Sequence, residues 1–316
     1  MECRSVEEFI GFQDIINNFI KRVRADNLSH AHLVVGPDGI GKSILAKIFA
    51  LNILGKKDNR DYIDIVNYRP KKASFGVDEV REVIEEINKK PVEGNRKVII
   101  IHNGDKLTVQ AQNALLKTIE EPPRGVFIII LTESLELMLD TIKSRSQIYK
   151  LTSLKKEDMI KFIKRFKDIQ EDDMLVALSF SEGVPGRAIR ILKDENLRNL
   201  RNSIVSLLKD IGNGNELLQY ELKLEKYKSE KQEVINTIAL FIRDIMLCRE
   251  LQDKNKVINA DKYNDICELA NLYSYNKLNS MLETINKART NLLSNVSYSM
   301  VISTMLIGFL EDLNYI

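Results

Sequence analysis

The sequence predicts an α/β domain built on a parallel sheet, followed by a wholly helical region. Short β-branched runs alternate with helically spaced apolar residues as far as Lys150. Between the first such run and the next helix lies Gly36-Pro37-Asp38-Gly39-Ile40-Gly41-Lys42-Ser43, which fits the G-x-x-x-x-G-K-[ST] pattern of a phosphate-binding P-loop. Beyond Lys150 no strong β-branched run appears. Alternation of this kind implies parallel strands joined by right-handed crossovers.

Ala31–Val35 is a short apolar run ending at a glycine and reads as the first strand. Ser43–Leu54 then places Ile44, Leu45, Ile48 and Leu51 on one helix face. Asp78–Lys89 reads as a second helix, with Asp78 as its cap and Val80, Val83, Ile84 and Ile87 at helical spacing. Lys97–Ile101 and Val126–Leu131 are nearly continuous apolar runs, as expected of strands buried on both faces. Between them Thr108–Glu121 reads as a helix stopped by Pro122-Pro123, because the residue before proline avoids helical geometry. Further on, Leu154–Arg165 and Glu171–Ser179 look like short helices, followed by a Gly183-Val184-Pro185-Gly186 turn. From Asn196 onward the pattern is helical, most clearly in Glu233–Leu251 and Asn295–Leu313, with a loop at Gly212-Asn213-Gly214-Asn215. Three parts are expected: residues 1–150, 151–194 and 195–316.

Composition excludes several classes. The 316 residues carry 47 basic and 45 acidic side chains, a formal charge of +2, so no whole-chain field announces nucleic acid. The three cysteines, Cys3, Cys248 and Cys267, are odd in number and lack C-x-x-C spacing, which argues against a disulfide framework and a zinc site. No apolar run is long enough to cross a bilayer, and the N-terminus has no signal-peptide core. A soluble cytoplasmic protein without membrane contact is expected.

The P-loop carries the first chemical expectation. Glycines let backbone N–H groups converge on phosphate oxygens, and the following helix adds its N-terminal dipole. Lys42 would reach the β and γ phosphates, and Ser43 could ligate Mg²⁺. Gly36, Pro37, Asp38, Gly39, Ile40, Gly41, Lys42 and Ser43 are therefore the candidate nucleotide-binding residues. Hydrolysis also requires carboxylates at a neighbouring strand end, to hold the metal and orient water. There the strand Val98–Ile101 runs into His102-Asn103-Gly104-Asp105, so His102 and Asn103 stand where an acidic pair is expected. Asp105 lies beyond the strand end and reads better as a cap for the helix that follows. The expectation is a site that binds ATP weakly or not at all and does not hydrolyse it.

At this point a family resemblance emerges. Gln110–Pro123, read as Q-A-x-N-A-L-L-K-x-x-E-E-P-P, resembles a segment of bacterial clamp-loader AAA+ subunits of DNA polymerase III. Leu28–Leu33, Lys90–Gly94 and Thr141–Ser146 are similar to further motifs of that family, with Ser146 where its S-R-C motif has cysteine. The resemblance is strong in the first half and weak in the second. It implies an AAA+ domain over 1–150, a helical lid over 151–194 and a helical collar domain over 195–316. Within the family the chain looks more like the delta-prime type than the gamma/tau motor. The acidic pair is absent, a motor would place its second sensor arginine near Gly186, and the length leaves no room for the tail of tau. The cysteine module that many relatives carry after the P-loop helix is missing at Gly55–Arg60, so no zinc or other metal site is expected.

The resemblance further implies partners and roles. These are the gamma/tau and delta subunits of the loader, and, through the assembled complex, a sliding clamp and primed DNA. Arg145, in the Thr141–Ser146 motif, would act in trans on ATP held by a neighbour, neutralising charge on its γ-phosphate. Thr132 matches the family's polar sensor position, although a strand-end threonine without ligand contact reads equally well. Arg187 is out of register with the motor's sensor and reads as structural or interfacial, while Lys117 and Arg124 could approach DNA backbone. His30 and His32 read as packing or hydrogen-bonding residues rather than a metal pair. The rival reading is an active AAA+ motor ATPase of the gamma type; a more distant one is a signalling P-loop ATPase.

Overall fold

The computed structural model describes residues 9–166, 169–211, 217–294 and 296–311. The loop expected at 212–215, Asn295 and residues 312–313 of the last expected helix lie outside the described residues. Two compact units emerge: Met1–Arg165 with Gly183–Gly186, and Phe166–Glu182 with Arg187–Ile316.

The first unit opens with α1 (Gln13–Arg24) and β1 (Ala31–Val35). There follow α2 (Lys42–Leu54), β2 (Ile65–Tyr68), α3 (Val77–Ile87), β3 (Lys97–Ile101), α4 (Val109–Glu120), β4 (Val126–Thr132), α5 (Asp140–Arg145), β5 (Gln147–Lys150) and α6 (Lys156–Ile163). The five strands form one parallel sheet in the order β2-β3-β4-β1-β5.

Strand alternation divides this sheet between two cores. Val34, Val98, Ile100, Phe127 and Ile129 point to one face, where α1 and α2 supply Ile16, Phe19, Leu45, Phe49 and Ile53. Their sequence neighbours Leu33, Ile99, Ile101, Ile128 and Ile130 point to the other, against Val80, Val83, Leu115, Ile119 and Ile142 of α3, α4 and α5. Both faces are covered, so β1, β3 and β4 are buried along their whole length. Helix α2 buries residues all round rather than along one stripe.

Two caps differ from those expected. Asp78 does not cap α3; Gly76 stands there, and the Glu79 carboxylate reaches back to accept from its N–H at 3.3 Å. Asp105 does not cap α4 either. Thr108 does, its hydroxyl accepting from the Ala111 N–H at 3.2 Å, because Gly104–Lys106 forms a separate 3₁₀ turn.

The second unit is all-helical. It contains α7 (Glu171–Ser181), α8 (Pro185–Lys193, whose first two residues group with the sheet unit), α9 (Glu195–Asp210) and α10 (Leu217–Glu225). These precede α11 (Lys231–Leu251), α12 (Tyr263–Leu272), α13 (Tyr275–Leu293) and α14 (Tyr298–Glu311). Pro185 begins α8, where its missing N–H costs nothing. A buried polar network fixes the connection between α11 and α12. Asp244 accepts from the N–H groups of Ile258 and Asn259 and from Asn259 Nδ2. Arg201 of α9 then donates to Asn259 Oδ1 at 3.1 and 3.0 Å and to Asp261. Cys248 and Cys267, distant in sequence, face each other as free thiols, 2.7 Å apart across α11 and α12. No helix among the described residues is long and apolar enough to cross a membrane.

Candidate functional site

The loop Gly36–Gly41 connects the end of β1 to α2, next to the ends of β3 and β4. Parallel strands with helical crossovers open a crevice at their carboxyl ends, and the P-loop occupies that edge. The Gly36 N–H donates to Thr132 O at 3.1 Å, which ties the loop to the end of β4. Gly39 and Gly41 take φ of 81° and 107°, so the chain bends where a side-chain-bearing residue would be strained. Ile40 is buried beneath and anchors the loop in the core. Gly39 also meets the start of α8: the Gly186 N–H donates to Gly39 O at 2.9 Å, and a Cβ on Gly186 would lie 2.6 Å from Gly39 Cα.

Lys42 Nζ donates to Gly36 O at 2.7 Å and Pro37 O at 3.0 Å, so the loop's own carbonyls hold its ammonium. Burial lowers the Lys42 pKa, opposed by the carboxylates of Glu133, Asp38 and Asp105. Ser43 Oγ is 3.4 Å from His102 Nδ1, and His102 Nε2 is 2.9 Å from Asn67 Oδ1 on β2. An amide oxygen can only accept, so this arrangement places the imidazole proton on Nε2 and leaves Nδ1 facing Ser43. Burial, with a contribution from the Arg69 cation, holds the His102 pKa down to about 4. At neutral pH the residue at the strand end is therefore an uncharged imidazole.

ATP with Mg²⁺ is the group this motif implies, and its two halves fare differently here. The bent loop and the first turn of α2, whose N–H groups have no carbonyl one turn back, suit a phosphate. The metal side does not fit, since His102, backed by Asn67, takes up the strand-end position facing Ser43 and brings no charge. Among the described residues, no three His, Cys, Asp or Glu side chains group to hold a metal.

Thr132 is buried at the end of β4, and its hydroxyl donates to Ser134 O at 2.9 Å. Asp105 accepts from the Glu133 N–H at 3.1 Å, joining the turn after β3 to the end of β4. Asn67 and Glu133 were not singled out in the sequence. Neither belongs to a periodic pattern, and only the strand order brings them to this edge.

Arg145 stands apart from this cluster. It ends α5, with its guanidinium exposed, and its bonding partners all lie on α4 and α5. Its Nε is 2.7 Å from Glu120 Oε1, while Nη1 donates to Thr141 O at 3.2 Å and Ser144 Oγ at 3.4 Å. The other end of α5 is held by buried Gln112 of α4. Its Nε2 donates to Leu107 O and Leu137 O, and its Oε1 accepts from the Leu139 N–H at 2.8 Å. Arg187 pairs with Glu182 at 2.6 Å. His32 is buried beside Phe19 and Tyr149, its Nε2 without a hydrogen bond.

Comparison with known proteins agrees with this architecture. The family described as DNA polymerase III, delta subunit, matches residues 11–155, and that described as DNA polymerase III, delta subunit, C terminal, matches residues 196–311. The delta' subunit of DNA polymerase III from Escherichia coli (strain K12) is 28% identical over 71% of this chain, and the match spans 65% of that protein's length. The delta' subunit from Buchnera aphidicola subsp. Acyrthosiphon pisum (strain APS) is 27% identical over 95% of this chain and 96% of its own. A gamma subunit-related protein of DNA polymerase III from Thermotoga maritima has the same fold, with a TM-score of 0.55 at 17% identity, covering 94% of this chain and 98% of that one. With two family matches that together span most of its length and full-length similarity to a delta' subunit, the chain belongs to the DNA polymerase III delta subunit family and resembles its delta' members.

Proposed function

We propose that this chain is a non-motor subunit of the clamp loader, one that helps place a sliding clamp on primed DNA without hydrolysing ATP itself. The observation that carries the reading is the neutral strand end. His102, with its pKa near 4 and its far nitrogen bonded to Asn67, faces Ser43 where a hydrolytic site needs carboxylates. Lys42, held by its own loop's carbonyls, has to exchange two hydrogen bonds for any phosphate it meets. Both features support weak ATP binding at Gly36–Ser43, with phosphate contacts but a poor hold on Mg²⁺. Thr132, its hydroxyl already donated to Ser134, supports the reading of a strand-end residue rather than a sensor.

Arg145 is proposed as the residue that acts on a neighbour. It is exposed at a helix end, always charged, and outside the chain's own P-loop cluster. The partners proposed are the gamma/tau and delta subunits, with the clamp and DNA met through the assembly. The three-part division, an AAA+ domain to 150, a lid to 194 and a collar domain from 195, is supported by family matches ending at 155 and resuming at 196.

The test is nucleotide binding and turnover, measured on the chain alone and in the assembled loader. Weak binding without turnover by the chain alone is expected, together with loader turnover that falls on Arg145→Ala. Robust turnover by the chain alone, lost on Asp105→Ala, would establish a motor instead.

A further inference from the structure

We infer that Glu120 is a positioning residue for Arg145; this rests on Arg145 being the arginine donated to a neighbour's nucleotide. The sequence fixes where both side chains start. Pro122-Pro123 stops α4 so that Glu120 is its last residue, directly after buried Ile119. Arg145 lies three residues after buried Ile142, which packs in the same core as Ile119. One helical turn from a core contact, its side chain emerges where α4 ends, and the carboxylate takes Nε at 2.7 Å.

The pair does little for stability. Both side chains are substantially exposed, 41% and 43%, and ion pairs at such sites contribute little to folding. Its effect is on orientation. A free arginine side chain spreads over many rotamers, and fixing it costs entropy. Here the Glu120 carboxylate pairs with the guanidinium on its Nε side, while Thr141 O and Ser144 Oγ accept from Nη1. Among the described residues Nη2 has no hydrogen-bond partner. The guanidinium plane is thus set in advance, with one amino group left for an incoming oxyanion. Order established before the encounter lowers the barrier of the step that uses it. Glu120 itself touches no nucleotide in this account; it acts only through Arg145.

The assembled loader provides the test, with DNA-dependent ATP turnover read as kcat and KM. Arg145→Ala is expected to lower kcat by roughly a hundredfold or more, as for other arginines supplied in trans. Glu120→Ala should lower kcat by about tenfold and leave the KM for ATP unchanged, because ATP is held by another subunit. Glu120→Gln keeps the side chain's shape but removes the charge that pairs with the guanidinium, and should lose about as much as Glu120→Ala. The Glu120→Ala, Arg145→Ala double variant should match Arg145→Ala alone, since a residue acting through another adds nothing once that other is gone. The inference fails if Glu120→Ala leaves kcat unchanged or raises it while Arg145→Ala abolishes turnover. It fails equally if the two losses simply multiply in the double variant. An Arg145→Ala loader with full turnover would refute the arginine's role itself, and the positioning role with it.

Discussion

His32 is held in the core between Phe19 and Tyr149, and burial, more than the nearby Arg22 and His30, keeps its pKa down to about 4. An unfolded histidine takes up its proton near pH 6.5. Between those values the unfolded chain binds a proton that the folded chain does not, so stability falls as pH falls. The contribution is complete above pH 6.5 and lost on the way to about 4, amounting to about 3 kcal/mol. Urea unfolding followed from pH 7 to 4 should show this loss, and His32→Leu should flatten much of it. A slope unchanged by the substitution would mean that other groups carry the acid response. The sequence assigns His32 to packing or hydrogen bonding, because no ligand cluster stands near it. It could not reveal the depressed pKa, which depends on Phe19 and Tyr149, brought together only by the fold. His102 was the more legible residue. Its place at the end of an apolar run made the missing carboxylate visible, although its partner Asn67 was not.

At the scale of the element, the seam between α4 and α5 is held by Gln112, which spends its whole amide on Leu107, Leu137 and Leu139. Gln112→Ala would leave buried backbone groups without partners and should destabilise the chain by roughly 2–4 kcal/mol. It should also lower loader turnover by loosening the helix that carries Arg145. Thermal melts and turnover assays together check this; a large loss of stability with unchanged turnover would separate the seam from function. The elements that could be read in advance were those whose burial shows in the chain. β1 and β3 were bounded correctly because strands covered on both faces need unbroken apolar runs. β2, α5 and β5, of four, six and four residues, are too short to establish a period and went unread. The caps of α3 and α4 were misassigned because Asp78 and Asp105 are good capping residues in isolation. The turns before them put Gly76 and Thr108 at the position that matters.

Taken whole, the molecule has a sheet unit with two cores and a helical unit pinned by Asp244. Asp244→Ala would strand the N–H groups of Ile258 and Asn259 and free the Arg201 network, at a cost of roughly 3 kcal/mol. Hydrogen exchange should then lose protection around residues 201–262, while β1, β3 and β4 keep theirs. Equal loss in both units would show that the network holds more than its own. Mixed cooperativity of this kind is ordinary for chains with more than one core.

The approach of Gly186 to Gly39 bears on how one kind of subunit could become the other. Placing carboxylates at His102 and Asn103 would supply the charge that the strand end lacks. The motor pattern also asks for an arginine near position 186, where a Cβ would already lie 2.6 Å from Gly39 Cα. An engineered chain that regains the acids gains a metal site while its loop stays pressed against a bare backbone. One that gains the arginine first has to rebuild the loop. Any side chain at position 186 is therefore expected to displace the P-loop at Gly39, whatever stands at the strand end.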